Sequence, residues 1–462
     1  MIRLFKHYIP HAVILLGLFD IALLIFAAEF AWRLRASQIG IDVGEVSSRI
    51  WPHVGFAAMI LTAMISVGVY GPDSLRSMRF ATARLLVAVS LGIIALSFID
   101  FLLGSANFWR STLAYAMALT IVMLVLNRLI VGGILGASAF RRRVLVLGAG
   151  PRAQRLRELG DRPETGFVIV GYIGMSESEP VVEEAIARSA IHNLTRFVEN
   201  LGVSEVVLAL EERRNSLPLK DLLRMKTAGV HVNDFSSFIE RETGRVDLDT
   251  VNPSWLIFSD GFSSGRAVSS VAKRVFDVIA SATLLALTLP VIVLFALLVK
   301  LDSKGPAFFR QTRVGLFGEN FDLIKLRSMR TDAEVLGGAQ FAQKNDPRVT
   351  RIGRFIRKVR IDELPQTWSV LKGEMSFVGP RPERPEFVEG LEDRLPFYAE
   401  RHMVKPGITG WAQVNYPYGA SIDDSRHKLE YDLYYAKNYT PFLDFIIILQ
   451  TLRVVLWHEG AR

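Results

Sequence analysis

Two carboxylates stand side by side in Ile361-Asp362-Glu363-Leu364-Pro365-Gln366, directly after a run in which arginine recurs at every third position from Arg348 to Arg360. Asp is a favoured helix N-cap and Pro is tolerated in a first helical turn, so the pair is expected at a helix N-terminus. Such an end binds anions through free N–H groups and a positive dipole. Adjacent acids among arginines are also what a plain capping and ion-pair arrangement looks like, so the pair alone does not decide. Two later segments add to it. Ser376-Phe-Val-Gly-Pro-Arg381-Pro382 is a rigid loop with one arginine, and Lys405-Pro-Gly-Ile-Thr409-Gly-Trp411-Ala-Gln413-Val-Asn415 is Gly-rich with hydrogen-bonding side chains. Loops of this kind hold ligands. The chemistry these residues suit is contact with phosphate.

The elements that must position them are legible upstream. Ile352, Phe355, Ile356 and Val359 fall at i, i+3, i+4 and i+7 of the arginine stretch, which describes an amphipathic helix lying in a membrane surface with its cations at phosphate depth. A basic stretch also suits nucleic acid, but the apolar face on the same helix argues for lipid and against nucleic acid. Phe276 to Leu301 is an apolar run broken by Pro290, with Lys273 and Arg274 before it and Lys300, Lys304, Arg310 and Arg313 after it. Positive charge is retained in the cytoplasm, so both ends are expected there, and a helix-break-helix over 275–301 that enters and leaves one leaflet fits.

The whole chain has 462 residues, enough for about three units. Half of them are hydrophobic and the mean hydropathy is +0.28, which excludes a disordered chain and points to membrane segments. Zero cysteines exclude disulfides, thiolate nucleophiles and cysteine-bound metals. The net charge of +8 agrees with phosphate contact. Four apolar runs, near Ala12–Trp32, Val54–Tyr70, Leu85–Leu103 and Leu113–Leu135, are each long enough to cross a bilayer. The first is expected to be a retained anchor. Arg3 and Lys6, then Arg76, Arg79 and Arg84, then Arg141 to Arg143 place both ends of this unit in the cytoplasm, although Arg33, Arg35 and Arg49 weaken the bias.

From residue 141 the grammar becomes βαβ, with a buried strand at Val144–Leu147 and the turn Gly148-Ala-Gly150 opening a helix. The Gly148-x-Gly150-x-x-Ala153 pattern is a dinucleotide fingerprint, but the second strand ends in Gly174-Met175 with no carboxylate for a ribose, so a structural or regulatory Rossmann-like module is expected. Ser259 to Ser270 reads as a linker, and its Gly261-x-Ser263-x-Gly265 lacks the strand-to-helix setting of a nucleophile elbow. The expected domains are 1–140, 141–258, a linker over 259–270, and 271–462. The fold class is a mixed α and α/β membrane protein: a four-helix transmembrane bundle, a Rossmann-like module, and a mostly helical C-terminal domain with a re-entrant helix.

The segment from about Lys273 to Gly460 resembles the monotopic phosphoglycosyl transferases, or bacterial sugar transferases. The resemblance rests on Lys273-Arg-x-x-Asp277, the Pro290 break, Lys325-x-Arg327-Ser-Met, Asp362-Glu-Leu-Pro-Gln366, Val378-Gly-Pro-Arg-Pro382 and Lys405-Pro-Gly-Ile-Thr-Gly-Trp411, in that order. The upstream units are similar to those of large members that start exopolysaccharide or O-antigen synthesis. Ile2-Arg-Leu-Phe-Lys-His-Tyr-Ile-Pro10 is similar to a subset associated with PEP-CTERM exosortase systems.

The resemblance implies transfer of hexose-1-phosphate from a UDP-hexose to undecaprenyl phosphate with release of UMP, at the cytoplasmic face of a bacterial inner membrane. It implies Asp362 as nucleophile, Glu363 as second catalytic carboxylate, and Mg²⁺ held by the pair. It further implies Arg357 and Arg381, supported by Lys325 and Arg327, as phosphate contacts, and Pro290 as the helix breaker. Lys405, Thr409, Trp411 and Gln413 are assigned to donor recognition, and a homodimer is expected. The rivals are a membrane-anchored nucleotide-sugar dehydratase, which needs a Tyr-x-x-x-Lys pair that this chain lacks, and a non-enzymatic export scaffold that would leave the acid pair idle.

Overall fold

Helices that are apolar on every side have no polar face to give to water, and four such helices form the N-terminal part of the computed structural model. The model describes residues 2–4, 7–9, 11–70, 78–103, 110–139, 141–162, 165–175, 181–211, 217–251, 267–331, 346, 348–417, 419 and 421–457. A short antiparallel hairpin, β1 (Ile2–Leu4) and β2 (His7–Ile9), precedes α1 (His11–Ile39), α2 (Ile50–Val67), α3 (Met78–Leu103) and α4 (Arg110–Ala139). Each expected span is thus present as a helix. Leu24, Phe56, Ile60, Met64, Leu85 and Leu124 fill the space between the helices, and Leu15, Phe19, Ile94 and Phe98 point outward, as lipid would require. Gly92 lets α3 approach the α2 backbone, because a Cβ there would lie 2.9 Å from Ile60 Cα. The bundle also holds a buried charge pair: Asp20 receives Arg128 at 2.7 Å and Asn127 at 2.8 Å, so its charge is compensated inside the apolar bundle.

The same unit continues into β3 (Arg142–Leu147), α5 (Pro151–Gly160), β4 (Phe167–Gly174), β5 (Ile186–Ala187), α6 (Leu194–Asn200), β6 (Glu205–Leu208), α7 (Leu219–Thr227), β7 (His231–Asp234) and α8 (Phe235–Thr243). The five strands are parallel in the order β5-β4-β3-β6-β7, the doubly wound arrangement that the alternating pattern predicts. Val144, Val146 and Leu147 are fully buried because helices cover both sheet faces. Gly148, at φ 125°, packs so closely on the end of β6 that a Cβ would meet Ala209 O at 2.7 Å. That contact accounts for the first glycine of the fingerprint without a nucleotide.

The first unit ends at Thr243, earlier than the boundary at 258 read from the sequence. The second unit comprises α9 (Ala267–Asp302), the hairpin of β8 (Phe308–Val314) and β9 (Asn320–Leu326), α10 (Arg351–Lys358), α11 (Gln366–Lys372), β10 (Ser376–Val378), α12 (Pro385–Glu392), β11 (Gly407–Thr409), α13 (Trp411–Asn415), α14 (Ile422–Asn438) and α15 (Pro441–Trp457). Val246 and Leu248 pack with Leu429 and Leu433 of α14, and Val246 N donates to Glu430 O at 3.0 Å, so this stretch belongs with the second unit. Composition cannot reveal such a tie. The linker and the Gly261-Ser263-Gly265 pattern lie outside the described residues, apart from the first turn of α9.

Pro290 does not interrupt α9, which is helical from Ala267 to Asp302. Its ring leaves the Ala286 carbonyl without an intrahelical donor, and nearby the Thr288 hydroxyl donates to Leu284 O at 2.7 Å. Both ends of α9 are fastened to the same unit. Near the start, Arg274 donates to the carbonyls of Val370 and Leu371 in α11 at 2.7 and 2.8 Å. Near the finish, Ile352 N donates to Asp302 Oδ2 at 3.1 Å, and Val299 packs with Leu326 and Ile356. Leu287, Leu289, Val293, Leu294, Leu297 and Leu301 remain exposed along the helix.

Candidate active site

The acid pair does not cap a helix directly. Ile361–Glu363 forms a tight 3-10 turn, and α11 begins at Gln366 with Pro365 in the capping position. The turn is entered through Arg360 at φ 60°, a left-handed conformation that costs a side-chain-bearing residue energy and bends the chain sharply after α10. Upstream, α10 starts at Thr350, whose hydroxyl caps Gly353 N at 2.9 Å. Gly353 lies against Ser328 O, where any Cβ would collide, so α10 is docked on the end of β9. Ile352 and Ile356 face the α9 core, and Phe355 stacks on Phe295 at 5.8 Å. The arginines of this helix are thereby held next to the apolar exposed flank of α9.

This local fold treats two neighbouring carboxylates in opposite ways. Glu363 Oε1 is met by Arg381 at 3.1 Å, Arg360 at 3.4 Å and Lys325 at 3.8 Å. Asp362 is 8% exposed, and its Oδ1 has no hydrogen-bond partner among the described residues. Burial, and then the charge of Glu363, push the Asp362 carboxyl up to about 6. Burial alone would raise Glu363 too, but Arg381, Lys325 and Arg360 outweigh it and hold the group down at about 2. Burial lowers Lys325 to about 8 even beside Glu363. Arg357, in the last turn of α10, adds to the positive field on Asp362, and no ion pair or hydrogen bond of its guanidinium is seen among the described residues. The result is a bare, buried carboxylate oxygen inside a ring of cations, an arrangement made for an anionic ligand that brings an electrophile.

Arg381 is aimed by a backbone lattice. β10 and β11 run parallel, Gly379 N donates to Thr409 O at 2.9 Å, and Gly407 N donates to Pro380 O at 2.9 Å. Gly379, Gly407 and Gly410 meet backbone to backbone, and a Cβ on any of them would collide. The Gly-rich segment therefore braces the Arg381 loop. Thr409 Oγ1 pairs with Thr451 Oγ1 at 2.7 Å, Trp411 Nε1 donates to Gly244 O at 2.6 Å and its ring stacks on Tyr434, and Gln413 Nε2 donates to Ile408 O at 3.2 Å. Lys405 lies in the field of Arg274, Asp277 and Lys273. Among the described residues none of these four side chains is bonded to the acid pair.

Arg327 also departs from expectation. Its guanidinium donates to Lys304 O and Ser303 O at 2.7 Å each and to Ser303 Oγ at 2.9 Å, which ties down the end of α9 and leaves it no reach to a phosphate. The site thus assembles Asp362, Glu363, Lys325, Arg357 and Arg381, and it adds Arg360, which the periodic arginine count did not single out. Sequence reasoning also missed Arg401 and Asp432, whose buried pair stands behind Arg381; a lone Arg and a lone Asp 31 residues apart carry no local signal. A cavity of about 470 Å³ lies against β8, β9 and α11 and is lined by Arg310, Asn320, Asp322, Trp368, Lys372 and Glu374.

Among the described residues no group of three or more His, Asp or Glu side chains converges as metal ligands. The acid pair with its orphaned Asp362 Oδ1 fits a cation that takes its remaining ligands from substrate phosphates and water, which is the habit of Mg²⁺.

Residues 268–458 match a family model described as bacterial sugar transferase, and residues 66–225 match one described as CoA-binding domain. The chain is 44% identical over 241 residues to a UDP-N-acetylgalactosamine-undecaprenyl-phosphate N-acetylgalactosaminephosphotransferase of Aeromonas hydrophila, covering 52% of this chain and 56% of that protein. It is 34% identical over 332 residues to an undecaprenyl-phosphate glucose phosphotransferase of Komagataeibacter xylinus, covering 69% and 60%. It is 32% identical over 331 residues to a UDP-glucose:undecaprenyl-phosphate glucose-1-phosphate transferase of Xanthomonas campestris pv. campestris, covering 69% and 68%. The match thus spans less than two thirds of the first two relatives.

Proposed function

The chain belongs to the bacterial sugar transferase family, and from that premise we propose that it transfers hexose-1-phosphate from a UDP-hexose to undecaprenyl phosphate and releases UMP. The observation that carries the reading is the unequal treatment of the acid pair. Glu363 is neutralised by three cations, whereas Asp362 keeps an unbonded, buried oxygen in the same positive field.

In the first step an oxygen of ionised Asp362 attacks the β-phosphorus of the donor. The bond from that phosphorus to the bridging oxygen breaks, UMP leaves with the bond electrons, and an aspartyl phosphosugar remains. In the second step an oxygen of undecaprenyl phosphate attacks the same phosphorus, and the acyl-phosphate bond breaks to restore the carboxylate. Splitting the transfer lets a water-soluble donor and a membrane acceptor use the site in turn. Arg381 and Arg357 hold phosphate oxygens, and Lys325 keeps Glu363 ionised beside them. Mg²⁺, when bound, would be held by Asp362 and Glu363 with the donor phosphates and would reduce the repulsion between an anionic nucleophile and an anionic substrate. The nucleoside and hexose are assigned to the cavity walled by Trp368, whose exposed indole and neighbouring Arg310 and Asp322 suit a ring and its hydroxyls.

The acceptor must arrive from the lipid. Attachment of both ends of α9 to one unit supports a re-entrant helix, since a straight helix of this length would span about 54 Å and carry one end across the bilayer. The catalytic unit is accordingly assigned to the cytoplasmic face of the bacterial inner membrane.

The test is Mg²⁺-dependent transfer of phosphate label from UDP-glucose, UDP-galactose and their N-acetyl forms into undecaprenyl lipid, with Asp362→Asn in parallel. Transfer by the wild type alone, through a labelled protein adduct lost in Asp362→Asn, is the expected result. Equal transfer by the variant would end the covalent mechanism.

A further inference from the structure

The first turns of α9 grip the strand that leads into Arg381. Asp277 Oδ1 accepts from Ser376 Oγ and from Phe377 N, each at 3.1 Å. One turn earlier, Lys273 Nζ donates to Val378 O at 3.0 Å. Three successive residues of β10 are therefore held from positions i and i+4 of one helix, and Gly379-Pro380-Arg381 follows at once. Both anchoring groups are enclosed: Asp277 is 2% exposed and Ser376 fully buried. Lys273 is in turn paired with Asp444 at 2.5 Å and with the Tyr435 hydroxyl at 3.1 Å, and that hydroxyl donates to Asp444 Oδ1 at 2.7 Å.

Packing alone does not call for this. Well-packed apolar residues in such a place are commonly as stable as a buried charge network or more so. What charged side chains add is direction, because each bond fixes one backbone group at one place. Here the direction reaches the arginine that meets Glu363 at 3.1 Å.

We propose that Lys273 and Asp277 are positioning residues that set Arg381 against Glu363, so that the seating of the membrane helix governs the grip on the donor phosphate. The proposal rests on the reading of Arg381 as a phosphate contact. Coupling of this kind ties phosphate binding to a properly inserted α9, and a catalytic unit detached from the bilayer would hold its donor poorly.

The experiment is a double-mutant cycle on the full-length chain in lipid nanodiscs, with donor kinetics as the readout. Asp277→Ala should lower kcat/KM for the donor by about tenfold or more, mainly through KM. Asp277→Asn, which keeps the accepting oxygen, should restore most of it. In an Arg381→Ala background, Asp277→Ala should cost less than about threefold, because the group it aims is gone. In a Lys325→Ala background, which reaches Glu363 from β9 instead, it should keep its full effect. Equal factors in the wild-type and Arg381→Ala backgrounds would overturn the proposal, as would an Asp277→Asn protein as impaired as Asp277→Ala. Should Asp277→Ala lose its protease resistance, Ser376→Ala removes one of the two bonds and runs through the same cycle with the same criterion. A wild type that transfers no label would instead remove the functional reading, and this inference with it.

Discussion

Arg401 holds Arg381 by its backbone: Arg401 Nη2 donates to Arg381 O at 3.0 Å, while the same guanidinium is clasped by Asp432 at 2.7 Å and reaches the Tyr398 hydroxyl at 2.9 Å. One arginine thus serves as a fixed post for another. The post is 5% exposed and its charge is balanced by Asp432, also buried, so the Arg381 carbonyl is held at a fixed place.

Removing Arg401 alone leaves Asp432 charged and buried, and Arg401→Met should destabilise the unit by about 3–5 kcal/mol. Arg401→Met with Asp432→Leu should recover most of that loss in thermal melts. It should not recover donor affinity, since neither residue then holds the Arg381 carbonyl.

Asp362 has a folded-state value of about 6 against an ordinary 3.8, so the folded chain binds this proton more tightly than the unfolded one. The associated stability is present below about pH 4 and is lost as pH rises through 6. Asp362→Asn should therefore abolish transfer and yet stabilise the protein at pH 7.5, by up to about 3 kcal/mol. Unfolding measured from pH 4 to 8 should show the wild type and the variant diverging over that window. Glu363 acts in the opposite sense, stabilising above its ordinary 4.5 and losing that contribution as pH falls toward 2.

Activity should follow a bell. Asp362 must be ionised to attack, so kcat/KM is expected to fall below about pH 6, and Lys325 should lose its charge above about pH 8. Lys325→Arg, which stays charged, should keep the acid limb and shift the alkaline limb beyond pH 9 in donor kinetics.

Trp368 offers an exposed ring in the cavity lined by Arg310, Asp322 and Lys372, to which the donor's nucleoside is assigned. Trp368→Ala should raise the donor KM by about tenfold with little change in kcat, as loss of a stacking contact does. An unchanged KM would move the nucleoside elsewhere.

The chain has no cysteine, so single cysteines report topology without background. Cysteines at Ser269 and Ser303, on either side of the apolar body of α9, should both react with a membrane-impermeant maleimide only in inverted vesicles. Labelling of one from each side would show a full crossing.

Several features were legible in the linear sequence because they depend on composition and short-range spacing. Runs of about 20 apolar residues are long enough to cross a membrane as helices, and the five long apolar helices found among the described residues lie where those runs are. Alternating strand and helix patterns require a parallel sheet, and the sheet is present with the expected first strand and turn. Asp362, Glu363 and Arg381 announced themselves through their motifs. Other features depended on contacts between distant residues. The unit boundary at Thr243 arises from Val246 and Leu248 reaching α14, and the role of Arg327 from carbonyls left open at the end of α9. The Gly-rich segment reads as a ligand loop, yet close backbone packing with Gly379 makes it a brace. Above all, two adjacent acids are equivalent in sequence. Only the fold brings Lys325, Arg360 and Arg381 to Glu363 and leaves Asp362 Oδ1 bare, because the cations that meet Glu363 come from side chains 3, 18 and 38 residues away along the chain.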